Sequence, residues 1–234
     1  MSSTRDISFA AMSIFLAGFS VSAQAEWNFQ ITPYLWASNL DGTTTVAGRD
    51  IDFDASFSDL VSSLDAGGAI RFDAQADTWG LFLDGMVVKL KDDEQTAVGT
   101  LGFTVKQEII EGGISYRLTE QLNAYAGARY QKIDQDVTLP VIGDRNISDS
   151  WADGIIGLHW LPVNTDKWTL WLRGDIGAGD SDSIWLAGVG GGYKFNKTWS
   201  LLAAYRYLST DFESDDLKWD VDQYGLGIGL GISW

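Results

Sequence analysis

The chain has 234 residues, no cysteine, a formal net charge of −16 and a mean hydropathy of −0.04. The missing cysteine excludes a disulfide framework and thiolate chemistry, and the acidic balance opposes nucleic-acid binding, which needs clustered bases. Eleven Trp, eight Tyr, eleven Phe and 26 Gly against 3 Pro favour sheet and tight turns over helix.

Arg5, the apolar run 7–21 diluted by Ser and Gly, and Ala23-Gln24-Ala25 form a secretory leader with cleavage before Glu26. Residues 1–25 are therefore expected to be a signal peptide and 26–234 one domain. The leader is too short and interrupted to span a bilayer, which takes about 20 apolar residues. No later segment approaches such a span, so any crossing must be made by strands.

Strand signals then follow in order. The first, 27–37, sets Trp27, Phe29, Ile31 and Leu35 against Asn28, Gln30, Thr32 and Tyr34. After a long insertion to Gly67, the second sets Ile70, Phe72 and Ala74 against Arg71, Asp73 and Gln75. Asp77-Thr78 turns it into a third at 80–90, followed by a polar loop at 91–99. The fourth, 100–118, loses its alternation near 107–110, which reads as a bulge. Further strands are expected at 122–132, 151–161, 168–177, 184–195, 199–208 and 219–234, with a loop at 134–150 and a turn containing Pro162.

The last strand is the most specific. Tyr224, Leu226, Ile228, Leu230, Ile232 and Trp234 alternate with Gln223, four glycines and Ser233. One face is apolar and the other nearly bare, which suits lipid outside and a narrow lumen inside. An aromatic last residue resembles the terminal strand signal read by the barrel-assembly machinery of bacterial outer membranes. The expected fold is all-β: a transmembrane antiparallel up-and-down β-barrel in the cell outer membrane. Ten strands are expected, with eight or twelve as alternatives because 43–47 against 50–55 would make an extra hairpin. An even count puts both ends and the short connections on the periplasmic side.

That topology sorts the charge. The outward connections (41–66, 91–99, 134–150, 178–183 and 209–222) hold 21 acids and 4 bases, whereas the rest of 26–234 holds 10 acids and 11 bases. Alternation directs a mixed set into the lumen: Arg71, Asp73, Asp84, Glu111, Arg117, Arg129, Arg173, Asp175, Lys194 and Arg206. In a narrow barrel such charges pair into a rigid polar core; the alternative is a selectivity lining for a small-solute path. The glycine faces at 188–192 and 225–231 make room for bulky inward groups opposite them.

In the first insertion, Phe57, Leu60, Val61 and Leu64 recur at helical spacing behind a Ser56/Asp59 cap, predicting a short amphipathic helix in the first extracellular loop. Such a helix plugs the mouth, lies on the outer leaflet or simply packs on its neighbours in the loop. Asp50, Asp52, Asp54, Asp211, Glu213, Asp215 and Asp216 match no calcium-loop pattern and read first as solvated, mutually repelling loop charge; the alternative is that they hold divalent cations bridging to lipopolysaccharide. The only histidine, His159, points inward without a neighbouring Ser or carboxylate, so packing suits it better than catalysis. Arg173-Gly174-Asp175 spells an adhesion tripeptide but falls within a strand.

Ser56-Phe-Ser-Asp-Leu-Val-Ser-Ser-Leu-Asp65, Trp79-Gly-Leu-Phe-Leu-Asp84, Ala126-Gly-Ala-Arg-Tyr130, Arg173-Gly-Asp-Ile-Gly177 and Ala204-Tyr-Arg-Tyr-Leu208 resemble a widespread group of uncharacterised proteobacterial outer-membrane barrel proteins. The likeness runs over nearly all of 26–234. It implies fold and location, with no activity, cofactor or catalytic residue attached. The expected role is a structural or surface-interaction barrel with acidic loops. A narrow cation-preferring channel gated by the first loop is the alternative, with an outer-membrane hydrolase ranked last.

Overall fold

The computed structural model describes residues 26–46, 49–96, 99–139 and 143–234, so the expected signal peptide lies outside the described residues. The elements run β1 (Asn28–Val46), β2 (Arg49–Ala55), α1 (Phe57–Ser62), β3 (Leu64–Gln75), β4 (Trp79–Thr96), β5 (Gly99–Arg117) and β6 (Leu122–Leu139). Then follow β7 (Gly143–Asn164), β8 (Trp168–Gly179), β9 (Ser183–Lys194), β10 (Trp199–Glu213) and β11 (Lys218–Ser233). Sequential antiparallel pairing runs from β3 to β11, and β1 joins β3 to β11 to close the wall. In the closed sheet each ladder's donors and acceptors are met by its neighbours, except along residues 35–39 of β1, which have no ladder partner on the β3 side.

The wall has ten strands. The hairpin considered as an alternative does form, with Thr43 opposite Asp52 and Val46 opposite Arg49. It adds nothing to the wall, since β2 pairs only with the outer end of β1. Both described ends of the wall meet at the end with the short turns, where Phe29 and Trp234 exchange backbone hydrogen bonds of 3.0 and 3.1 Å.

Three local expectations are corrected. The fourth wall strand carries no bulge: β5 keeps one register against β4 from Gly99 to Tyr116. Its alternation slips because Ile109 is an apolar residue on the inward face, buried against Met86, Ile184, Leu186 and Leu208. The strand at 151–161 continues past Pro162, where the missing N–H is accommodated by a register shift between Trp160 and Val163. Finally, the polar stretches at 91–99, 134–150 and 209–222 are mostly ladder. β6 and β7 pair out to Leu139–Gly143, and β10 and β11 out to Glu213–Lys218. Above the membrane a strand needs no greasy face, so polar composition there does not signal a loop.

Outward residues form the lipid belt. Leu35, Ile156, Ile176 and Leu226 are each 62–64% exposed although they are large and apolar, an arrangement that a water-facing wall would not carry. Aromatic girdles bound the belt. Stacked or edge-on pairs Trp79–Tyr116, Trp168–Tyr193 and Phe29–Trp234 lie at the short-turn end, and Trp185, Tyr207 and Tyr224 stack at the other. The chain is thus an outer-membrane β-barrel with its short turns on the periplasmic side.

Candidate functional site

The lumen is built in layers, because each wall strand contributes every second side chain to it. Nearest the periplasmic end, Trp171 lies on the inner wall over β9 and beside His159 of β7, their rings 5.8 Å apart. Gly190 makes that possible, since a Cβ there would lie 2.3 Å from the Trp171 ring. This is the exchange of bare for bulky residues that the glycine face implies. His159 is half-buried against that indole, and its cross-strand neighbours are Asn123 and Arg173.

Above it sits a charged layer. Arg129 on β6 donates to Glu111 (2.6 Å) and to Asp175 (3.0 Å), and Arg173 on β8 donates to the same two carboxylates at 2.5 and 3.0 Å. Two cations and two anions alternate, so the quartet is neutral. Arg129 and Asp175 are essentially sealed from solvent, with side-chain exposures of 1% and 0%. Tyr125 closes the ring by donating to Asp175 (2.6 Å) and accepting from Arg173 (2.7 Å). Gly157 leaves room for that phenol, as a Cβ would fall 2.6 Å from its hydroxyl.

A second charged group adjoins the quartet across Phe82, whose ring lies under both Arg71 (5.0 Å) and Arg173 (5.7 Å). Arg71 pairs with Asp73 and Asp84, and Tyr34 donates to Asp84 at 2.7 Å. Seven of the ten residues expected in the lumen network therefore come together. Arg206 stands beside them without a carboxylate partner among the described residues. Lys194 instead ties the periplasmic turn, donating to Asn164 and to the Thr165 carbonyl. Arg117 is exposed at the periplasmic rim, beyond the reach of the cluster. Both belong to the correct face but to strand ends, where the lumen opens to water.

Apolar and uncharged polar layers cover the charges. Met86, Ile109, Ile184, Leu186 and Leu208 make one buried cluster. Gln107, Gln131, Gln135 and Gln223 bridge to each other or to Thr210, Thr44 and Ser38 at 3.1–3.3 Å. At the top, Ile133, Trp151, Phe212, Leu217, Trp219 and Val221 fill the extracellular extension, with Trp151 and Phe212 stacked at 4.2 Å. Asp153, also fully buried, accepts from the Ser181 N–H and hydroxyl and so pins the β8–β9 turn. Sequence reasoning missed Tyr125, Asp153 and the glutamines, yet the same alternation places all of them inward.

The first-loop helix exists, and its cap is the Ser56/Asp59 box. It does not fill the mouth: the residues that do so come from strands, and Phe57 and Val61 are 43% and 46% exposed. Leu60 is half-buried, and Leu64 begins β3. The Arg173-Gly174-Asp175 tripeptide lies within β8 with both charges in the quartet.

The outer face carries the remaining charge. Asp41 lies between Asp54 on β2 and Asp222 on β11, and Asp211 lies opposite Asp220. With Asp52 these carboxylates cover adjoining strands just above Tyr207 and Tyr224. Burial and the charges of Asp220 and Asp182 push the Asp211 carboxyl up from its ordinary value. On the β5–β6 side bases accompany the acids, Lys106 pairing with Glu108 and Lys132 with Asp134. Among the described residues no three carboxylate, His or Cys groups converge on one point. Asp50, Asp52 and Asp54 stand about 7 Å apart along one strand face, too far to wrap one ion by themselves. Glu213, Asp215 and Asp216 are exposed around the β10–β11 turn.

No protein-family model matches the sequence, and no curated protein matches it. Among solved structures it is similar to Ail, the attachment invasion locus protein of Yersinia pestis in complex with the heparin analogue sucrose octasulfate. That likeness has 13% identity, covers 89% of this chain and 100% of that one, and has a TM-score of 0.41. It is also similar to the translocator domain of autotransporter NalP from Neisseria meningitidis (13% identity, 91% and 90% covered, TM-score 0.40). A Pseudomonas aeruginosa FadL homologue gives 9% identity, 89% and 90% coverage and a TM-score of 0.37. The placement in the outer membrane rests on this chain's own closed wall, lipid belt and girdles.

Proposed function

We propose that this chain is a closed surface-interaction barrel whose acidic outer face engages divalent cations and, through them, the phosphates of the surrounding lipopolysaccharide. It takes its place in the uncharacterised group of proteobacterial barrels that its motifs resemble. Residues 1–25 direct export, and the alternating strand ending at Trp234 is the part read by the assembly machinery. The observation that carries the reading is the row Asp54–Asp41–Asp222, three carboxylates side by side on neighbouring strands. Like charges placed directly across a ladder oppose folding, so their clustering above a girdle supports a role for counter-ions there. A layered lumen packed with side chains argues against the channel alternative, and His159 against an indole argues against hydrolysis.

The test is calcium-dependent binding of lipopolysaccharide to the barrel in nanodiscs. The Asp41→Asn/Asp54→Asn/Asp222→Asn variant is expected to lose the calcium-dependent part of the binding while remaining folded. Equal calcium dependence in the variant would overturn the reading.

A further inference from the structure

Within the lipid belt the ladder is interrupted over one stretch of β1. Residues 28–34 pair with β3 and residues 40–46 with β2, but residues 35–39 have no ladder partner on that edge. The facing residues of β3 before Ala69 pair only with β4. A wedge therefore opens in the outer half of the wall. It is capped by α1, whose first N–H meets the Asn39 side chain (2.7 Å) and whose following residue, Ser63, accepts from the Lys91 N–H (2.7 Å). Its rims are apolar and exposed: Leu35 62%, Ile70 50% and Phe57 43%. At Gly68 a Cβ would meet nothing within 4 Å.

Behind the base of this wedge lies Arg206. The last ladder pair of β1 with β3 is Tyr34 with Ala69, and Ala69 pairs in turn with Met86. The Arg206 guanidinium reaches across from β10 to these residues. It lies 3.7 Å from the centre of the Trp36 ring and donates to the Tyr34 hydroxyl (3.4 Å) and the Met86 sulfur (3.8 Å). Its Nε is buried and has no partner. Arg71, Arg129 and Arg173 each meet two carboxylates, whereas Arg206 reaches one only indirectly, through Tyr34 to Asp84. A guanidinium held by an indole, a phenol and a thioether retains unused capacity for an anion.

We propose that the β1–β3 wedge is a lateral binding site for a single-chain amphiphilic carboxylate. The alkyl chain lies between the apolar rims and the carboxylate meets Arg206. An oily chain suits the belt-facing rims, and an anion suits Arg206, the one arginine within the packed lumen layers that has no direct counter-charge among the described residues. A cationic or neutral head group would leave that arginine unmatched. The site is independent of the acidic face, whose charge would repel such a ligand from the mouth and favour access from the side.

The test is equilibrium binding of radiolabelled dodecanoate to the mature barrel in nanodiscs, with empty nanodiscs subtracted. Saturable binding is expected, uncompeted by dodecyltrimethylammonium. Arg206→Gln should weaken it roughly tenfold or more, since a charge-assisted hydrogen bond is lost, and Arg206→Lys should retain part of it. Leu35→Cys/Gly68→Cys continues the register by one pair and introduces the only thiols of the chain. Oxidation should abolish binding and reduction restore it in the same folded sample. Absence of saturable binding, an unchanged affinity in Arg206→Gln, or equal binding by the oxidised and reduced double variant would each overturn the proposal.

Discussion

At the residue scale the barrel is specified by Arg129. Its guanidinium joins carboxylates from β5 and β8, so one side chain ties three strands across the lumen. Burying such charges is costly, and only their mutual pairing offsets it. Arg129→Ala is therefore expected to destabilise the barrel by about 3–5 kcal/mol, because it strands two buried carboxylates with one remaining arginine. Replacing Arg129, Arg173, Glu111 and Asp175 together by apolar residues of similar volume should recover most of that loss. Urea titrations in detergent, compared across the single and quadruple variants, check both outcomes. Asp211 poses the opposite case. Its carboxyl is raised by burial and by Asp220 and Asp182, so its ionisation works against the folded state. The penalty is present at neutral pH and disappears as pH falls through the raised value. Asp211→Asn should raise the melting temperature at pH 7 by roughly 1–3 °C, with the gain closing in acid; differential scanning fluorimetry across pH reads it.

At the element scale, legibility in the sequence follows what the surroundings demand of a strand. Where lipid lies outside, alternation is enforced, and Leu226, Ile228 and Leu230 read plainly as an outward row. Beyond the girdles that demand ends, and β6, β7, β10 and β11 continue as ladder with polar residues on their outer faces. Those stretches look like loops because nothing in their composition requires a strand; only pairing with the neighbour keeps them extended. Ile109 misleads for the converse reason, being apolar on a face taken to be polar. The cap and spacing of α1 are local and therefore visible, whereas its position over the wedge depends on where β1 parts from β3, which no local pattern encodes. Gly42 shows how closely the outer hairpin is fitted. It has φ +153°, and a Cβ would lie 2.0 Å from the Asp220 carbonyl oxygen on β11. Gly42→Ala must then push β1 from β11 at the mouth and is expected to cost about 1–3 kcal/mol. Chemical unfolding gives the size of the loss, and faster amide exchange confined to β1, β2 and the outer half of β11 would locate it.

For the whole molecule, what matters is that the lumen is closed several times over. The charged quartet, the Met86–Ile109–Leu208 cluster, the glutamine bridges and the Trp151–Phe212 stack lie at successive heights. An ion entering from outside would shed its water at the apolar layers and then meet a neutral, fully paired charge cluster. α1 contributes no side chain to any of these layers, so removing it uncovers the wedge in the wall but leaves the lumen filled. In planar bilayers the folded barrel is expected to show no discrete current, and a variant lacking residues 57–64 should be equally silent. Trp151→Ala should also stay silent, since the layers beneath it are intact. Steps of cation-selective current in the helix deletion alone would show that the first loop is the gate, and the layered packing would then not be the barrier. Steps in Trp151→Ala alone would instead locate the barrier in the extracellular core. Silence from all three, with heat-modifiable migration on gels to show that each barrel is folded, is what stacked and independent closures require.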